Sequence, residues 1–170
     1  MSGTRLPKSL FVVILGVALA ECIRDFPLLP NRLASHFGPS GTPSGWLTKP
    51  QFFTLYAGLI MLAASVGFLA PLTIAKTPAS KINLPYKEYW LAPERRAETL
   101  AAFERYFAWY GCIFLLLEVL TMQLVIQVNF RTAPRLPTGP ILFLISAFVL
   151  FNIVSVITMF RRFSKPRSRT

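Results

Sequence analysis

Histidine occurs once in this chain, cysteine twice, and acidic residues only seven times in 170 positions. Each scarcity removes a class of function. A metal centre needs three or four converging ligands, and His36 has only Asp25 nearby in sequence, with Glu21 at the edge of an apolar run. His36 therefore reads first as a hydrogen-bonding structural residue, with a metal ligand or a switch near neutral pH as the lesser alternative. Cys22 and Cys112 have no pairing pattern and read as small apolar fillers. The sequence contains no nucleophile beside a base, no paired carboxylates and no phosphate-cradling loop, so neither an enzyme nor a bound cofactor is expected. Charge is also scarce, at 15% of residues, where soluble chains carry about 25%. Together with 54% hydrophobic residues and a mean hydropathy of +0.52, this excludes an ordinary soluble domain.

What the chain does have is long apolar runs. Residues 52–75 contain no charge, 106–128 contain only Glu118, and 140–160 contain none. Each approaches or exceeds the 20 or so residues that a hydrocarbon core of about 30 Å requires. A shorter run, about 9–23, is broken by Glu21. Arg5 and Lys8 before it, and Ala18-Leu19-Ala20 within it, resemble a signal peptide. Leu19-Ala20-Glu21-Cys22 resembles a lipoprotein box, but Glu21 stands where a small residue is needed. The run is read as an uncleaved short span that tolerates mismatch. The expected fold is an all-α integral membrane domain over 1–170, with four transmembrane helices.

Four spans place the N-terminus, the middle loop and the C-terminus on one side. Thirteen of the eighteen Lys and Arg residues lie there, from Arg5 and Lys8 through Lys76–Arg105 to the tail Arg161–Arg169. Arg24, Arg32, Lys49, Arg131 and Arg135 lie on the other. The positive-inside rule puts the first set in the cytoplasm, N-in and C-in. Interfacial aromatic belts agree, with Trp46, Phe52, Phe53 and Tyr56 outside and Tyr86, Tyr89, Trp90, Tyr106, Trp109 and Tyr110 inside. The basic tail is expected on anionic lipid, at about 1 kcal/mol per close basic side chain. That accounts for the net charge of +11 without nucleic acid.

Three regions carry pattern. The outer loop Leu29–Lys49 is rich in Pro and Gly, and Gly38, Gly41 and Gly45 permit positive φ, so a folded loop on the membrane surface is expected. A helix is expected from Pro93 straight into the third span, with Leu100, Phe103 and Phe107 forming an apolar stripe. It reads as a surface ramp or as a docking site for a cytoplasmic partner. Within the third span, Glu118 shares a face with Gly111, Thr121, Met122 and Asn129, while Gln123 and Gln127 lie on the opposite side. Two polar faces make this span central. An intramembrane carboxyl costs at least about 2.5 kcal/mol and usually faces a bundle interior. Glu118 is read either as a packing carboxyl bonded to Asn152 or Ser155 of the fourth span, or as a proton relay. In the second span, Ala63 and Gly67 allow close helix approach.

Leu29-Pro30, Leu33, His36-Phe37, Gly41, Trp46 and Lys49, together with Asn83–Arg96, resemble a bacterial membrane family of unknown function, number sixteen-forty-eight of the DUF series. That domain also occurs at the N-terminus of immunity proteins against the sporulation-delay toxin. The resemblance covers about residues 10–105. It implies a multi-pass protein of the bacterial cytoplasmic (inner) membrane with its first helix retained, and it implies little about activity. Ser44 stands where family members often have an acidic residue, which argues against an inherited metal site at His36. The larger immunity proteins carry additional spans.

The leading expectation is a binding or accessory role in immunity, sensing or regulation. His36, Phe37, Gly41, Trp46 and Lys49 would form the loop that meets a peptide or protein. One alternative is a small transporter or proton-coupled component using Glu118. A second is a structural subunit whose Glu118, Gln123, Gln127 and Asn152 face partner helices of a larger membrane complex.

Overall fold

A computed structural model describes residues 3–164. Four helices are long and apolar enough to cross a membrane: the first span Arg5–Asp25, the second Lys49–Lys76, the third Pro93–Asn129 and the fourth Thr138–Arg162. The chain is a multi-pass membrane protein by this measure. The first helix has 21 residues, longer than the apolar run alone, because Arg5 and Lys8 continue it past the run at one end and Arg24 and Asp25 at the other. Lys165, Arg167 and Arg169 of the basic tail lie outside the described residues.

The third span is the central element. Of its most apolar window 44% is buried, against 6% for the fourth span, and it packs on the first, second and fourth spans and on the loop. Phe11 and Ala18 of the first span meet Tyr56 and Ala63 of the second and Leu115 and Val119 of the third in one buried cluster. Ala63 and Gly67 do serve close approach. A Cβ at Gly111 would come within 2.6 Å of the Gly67 Cα and 2.9 Å of the Ala63 carbonyl oxygen. Glycine at 111 lets the two backbones touch.

Beside that contact the second span widens into a π-turn at Ser65–Leu69. Pro71 follows at the start of the next helical segment. A proline lacks an N–H and crowds the carbonyl four residues back, and one extra residue in the turn relieves both. Pro71 was the available signal for it.

The third span is continuous over 37 residues from Pro93, as the stripe predicts. At 1.5 Å per residue it is about 55 Å long, so its first turns extend beyond a bilayer core. Phe103 packs with Ala102 and Phe163, flanked by Leu100, Phe107 and Trp90. Arg96 donates to the carbonyls of Ala75 (3.2 Å) and Thr77 (3.0 Å), satisfying the end of the second span. Lys8 pairs with Glu104 at 2.7 Å. Both described chain ends thus meet the start of the third span.

The chain is mostly helical, as expected, and the loop between the first two spans adds a two-stranded element that the sequence alone leaves unspecified. Strands β1 (Arg32–Phe37) and β2 (Pro43–Thr48) form an antiparallel hairpin. Arg32 pairs with Thr48, Leu33 with Leu47 and Ala34 with Trp46, and the register then shifts so that His36 faces Gly45 and Phe37 faces Pro43. The sequence shows no apolar alternation because the irregularity falls inside a six-residue strand and Pro and Gly occupy the second. The hairpin leads directly into a capping box at the second span. The Gln51 N–H donates to Thr48 Oγ1 and the Thr48 N–H to Gln51 Oε1.

Candidate functional site

The hairpin is fixed to the third span by one side chain. Asn129 Oδ1 accepts from the Ala34 N–H at 2.8 Å, and its Nδ2 donates to the Ala34 carbonyl at 3.0 Å and to the Val125 carbonyl at 2.8 Å. The carboxamide matches a backbone donor and acceptor together, as a neighbouring strand would. Leu33 is fully buried with Leu29, Phe52, Val125 and Ile126 beneath it, a burial worth about 1.5–3 kcal/mol. Asn129 was legible only as a polar residue on the face of Glu118. Its position at the end of a span was the signal that it meets a loop.

The five loop candidates divide by role. His36 and Trp46 are exposed. The His36 Nδ1 lies 3.0 Å from Ser35 Oγ, and its ring packs so closely on Gly45 that a Cβ there would come within 3.1 Å of it. Arg32, Ser44 and Thr48 are the other exposed strand residues. Phe37 packs, half-buried, on the cluster under Leu33. Gly41 has φ of 75°, in the region that favours glycine. A Cβ there would also collide with the Leu136 carbonyl, and the Leu136 N–H donates to the Gly41 carbonyl at 2.9 Å. Lys49 donates to the Phe26 carbonyl at 2.9 Å and sits 5.1 Å from the Phe26 ring centre. Gly41 and Lys49 therefore shape the loop, while His36 and Trp46 form its free surface.

Glu118 is 7% exposed, and among the described residues neither carboxyl oxygen has a hydrogen-bond partner. The expected bond to Asn152 or Ser155 is absent. Asn152 accepts instead from the Tyr110 hydroxyl at 2.6 Å and donates to the Phe148 carbonyl at 2.7 Å. Around Glu118, Leu115 and Val119 pack on the first and second spans, while Phe114, one turn away, stacks on Phe148 of the fourth at 5.9 Å. The Tyr56 hydroxyl in the second span is likewise buried without a partner. Gln123 is half-buried with an unpartnered Oε1, and Gln127 is exposed. The four intramembrane candidates thus do not form one site.

Among the described residues no group of three or more His, Cys, Asp or Glu side chains could hold a metal ion. Asp25 is engaged by Arg24 in two bonds of 2.7 and 2.8 Å. A groove of about 480 Å³ lies at the opposite end of the bundle from the hairpin, between Ile82–Pro85, Phe103, Phe107, Met159 and Phe163. Its lining is apolar, with Lys81 at one edge, and lacks a reactive constellation. Comparison with protein-family models, with curated proteins and with solved structures finds no match for this chain.

Proposed function

We propose that this chain is a non-enzymatic binding protein of the bacterial cytoplasmic membrane, with both termini inside and the hairpin presenting His36 and Trp46 to a peptide or protein outside. One observation carries the reading: Asn129 and the buried Leu33 tie the hairpin to the third span, while Trp46 keeps 46% of its surface free. Ordering a surface in advance lowers the entropic cost of binding, and an exposed tryptophan on a rigid strand is a typical interface anchor. The excess of basic residues at the tail end supports the orientation. The family resemblance supports the bacterial membrane.

The test is photo-crosslinking in intact cells from a probe placed at Ser44, beside the two side chains. A discrete adduct is expected, reduced at least to about a tenth by Trp46→Ala or His36→Ala, the scale of one interface anchor. Adducts unchanged by both substitutions would overturn the proposal.

A second reading is a subunit of a larger membrane complex, in which the fourth span, the least buried of the four, would meet partner helices in place of lipid. Phe143, Leu150 and Phe160 are among its many exposed apolar side chains. Purification in mild detergent should then yield a stoichiometric partner, and a pure single chain would exclude it. Conduction along Glu118 has less support, because Gln123, Gln127 and Asn152 do not converge on it.

A further inference from the structure

The groove at the far end of the bundle joins an apolar compartment to a polar one. Phe103 and Phe107 of the third span, Met159 and Phe163 at the end of the fourth, and Ile74 near the end of the second line it. The segment Ile82–Pro85 completes the lining, extended at Ile82 with φ of −81° and ψ of 121°. Side chains of an extended chain alternate in direction. Here Ile82 and Leu84 are half-buried, while Lys81 and Asn83 are exposed at the edge of the groove. The same residues, 81–84, also border a second hollow of about 340 Å³, lined otherwise by Ser80, Tyr86, Lys87 and Glu88. The groove's own volume of about 480 Å³ falls within the range of about 300–1,000 Å³ found for ligand pockets. An apolar slot beside a polar hollow suits an amphiphile.

Depth and charge say which one. By the helical rise of 1.5 Å per residue, Met159 lies about 32 Å below the start of the fourth span, Phe107 about 33 Å below Asn129, and Ile74 about 38 Å below the start of the second span. A hydrocarbon core is about 30 Å thick, and headgroups bring the bilayer to about 40–45 Å. The groove therefore sits where acyl chains give way to headgroups. In the hollow, Lys81 and Lys87 outnumber Glu88, and among the described residues neither lysine has a carboxylate partner. The Lys87 ammonium is held there by the Ser80 carbonyl at 3.3 Å. Arg161 and Lys76 end the two neighbouring spans with further positive charge. Basic pockets between spans at this depth attract anionic headgroups. Residues 165–170 offer no large apolar side chain to fill the groove.

We propose that the groove is a binding site for one anionic phospholipid, with an acyl chain against Phe103, Phe107 and Leu84 and the phosphate over Lys81 and Lys87. The extended segment 82–85 separates the two parts of the ligand by its own alternation. This is a discrete site, distinct from attraction of the basic tail to a charged surface. It goes beyond the binding role of the hairpin, and it holds whichever end faces the cytoplasm.

The experiment is photo-crosslinking of the full chain in phosphatidylcholine vesicles that hold a small fraction of phosphatidylglycerol, a trace of it with a diazirine in one acyl chain. Adducts are mapped by mass spectrometry. They should fall on the segment 82–85 and on Met159, besides exposed side chains of the fourth span such as Phe143 and Leu150. Unlabelled phosphatidylglycerol should displace the groove adducts at least about fivefold better than phosphatidylcholine, the scale of one close basic side chain. Adducts at Phe143 and Leu150 should show no such preference. Lys81→Glu, at an exposed position, should abolish the preference while leaving the fold intact. Leu84→Trp should fill the groove and remove its adducts while those at Phe143 persist. Arg167→Gln combined with Arg169→Gln should change neither result. Groove adducts without headgroup preference, or a preference kept in Lys81→Glu and lost with the two tail arginines, overturn the proposal. So does an absence of groove adducts, the result expected if a protein segment or a second copy fills it.

Discussion

Asn129 shows how much one side chain decides here. It satisfies the N–H and the carbonyl of Ala34 at once, at a residue with no accessible surface. Asn129→Leu leaves both groups buried and unpaired, at about 1–3 kcal/mol for each. Thermal unfolding in detergent should fall accordingly, and hydrogen exchange at the Ala34 amide should accelerate while exchange in the Gly67–Gly111 region stays slow. Asn129→Asp keeps an acceptor for the Ala34 N–H and loses the donor, so it should fall between the two. Unchanged exchange at Ala34 in Asn129→Leu would remove the clamp from the account. The residue is plain in the sequence as a lone amide at the end of an apolar run. Its partner is not, because Ala34 is 95 positions away and offers only backbone. For the same reason His36 and Trp46 were legible as a patterned surface, whereas Gly41 and Lys49, equally conspicuous, prove to hold the loop in shape.

At the scale of elements, the spans were legible because hydrophobic runs bounded by charge follow from the thickness of the bilayer alone. The long helix from Pro93 was legible too, because its stripe keeps one helical period into the third span. Less legible were the features that depend on contact across elements. The hairpin has no alternation to betray it, and Asn152 bonds to Tyr110 and Phe148 instead of Glu118 because which side chains meet is set by the packing of whole helices. The Gly111 contact tests this view of the packing. Gly111→Leu places a branched chain against the Gly67 backbone, where neither helix can yield without moving, and overpacking of this kind costs about 1–3 kcal/mol. Gly16→Ala, with nothing within 4 Å of the new Cβ, should instead leave the unfolding temperature unchanged or raise it, since alanine gains about 0.5–1 kcal/mol over glycine in a helix. Equal effects from the two substitutions would mean that the second and third spans are not packed backbone to backbone.

For the whole molecule the governing asymmetry is charge. The hairpin and the connection at residues 130–137 share one end, joined by the Leu136 N–H to the Gly41 carbonyl. The middle segment shares the other end with the close of the fourth span, where Trp90 and Phe103 pack against Phe163. Among the described residues most of the Lys and Arg lie at that second end, and translocating them costs more than translocating the few at the first. The expected orientation follows, and it can be measured without any knowledge of a partner. In intact cells an impermeant maleimide should label Ser40→Cys at the hairpin tip. It should reach Ser80→Cys in the middle segment only after the membrane is opened. Both positions are exposed, so a difference between them reports sidedness and not burial. The unsubstituted chain sets the background, which should be low because Cys112 is buried and Cys22 half-buried. Labelling of Ser80→Cys in closed cells, with Ser40→Cys silent, would invert the molecule and place His36 and Trp46 in the cytoplasm. Their partner would then have to be sought there.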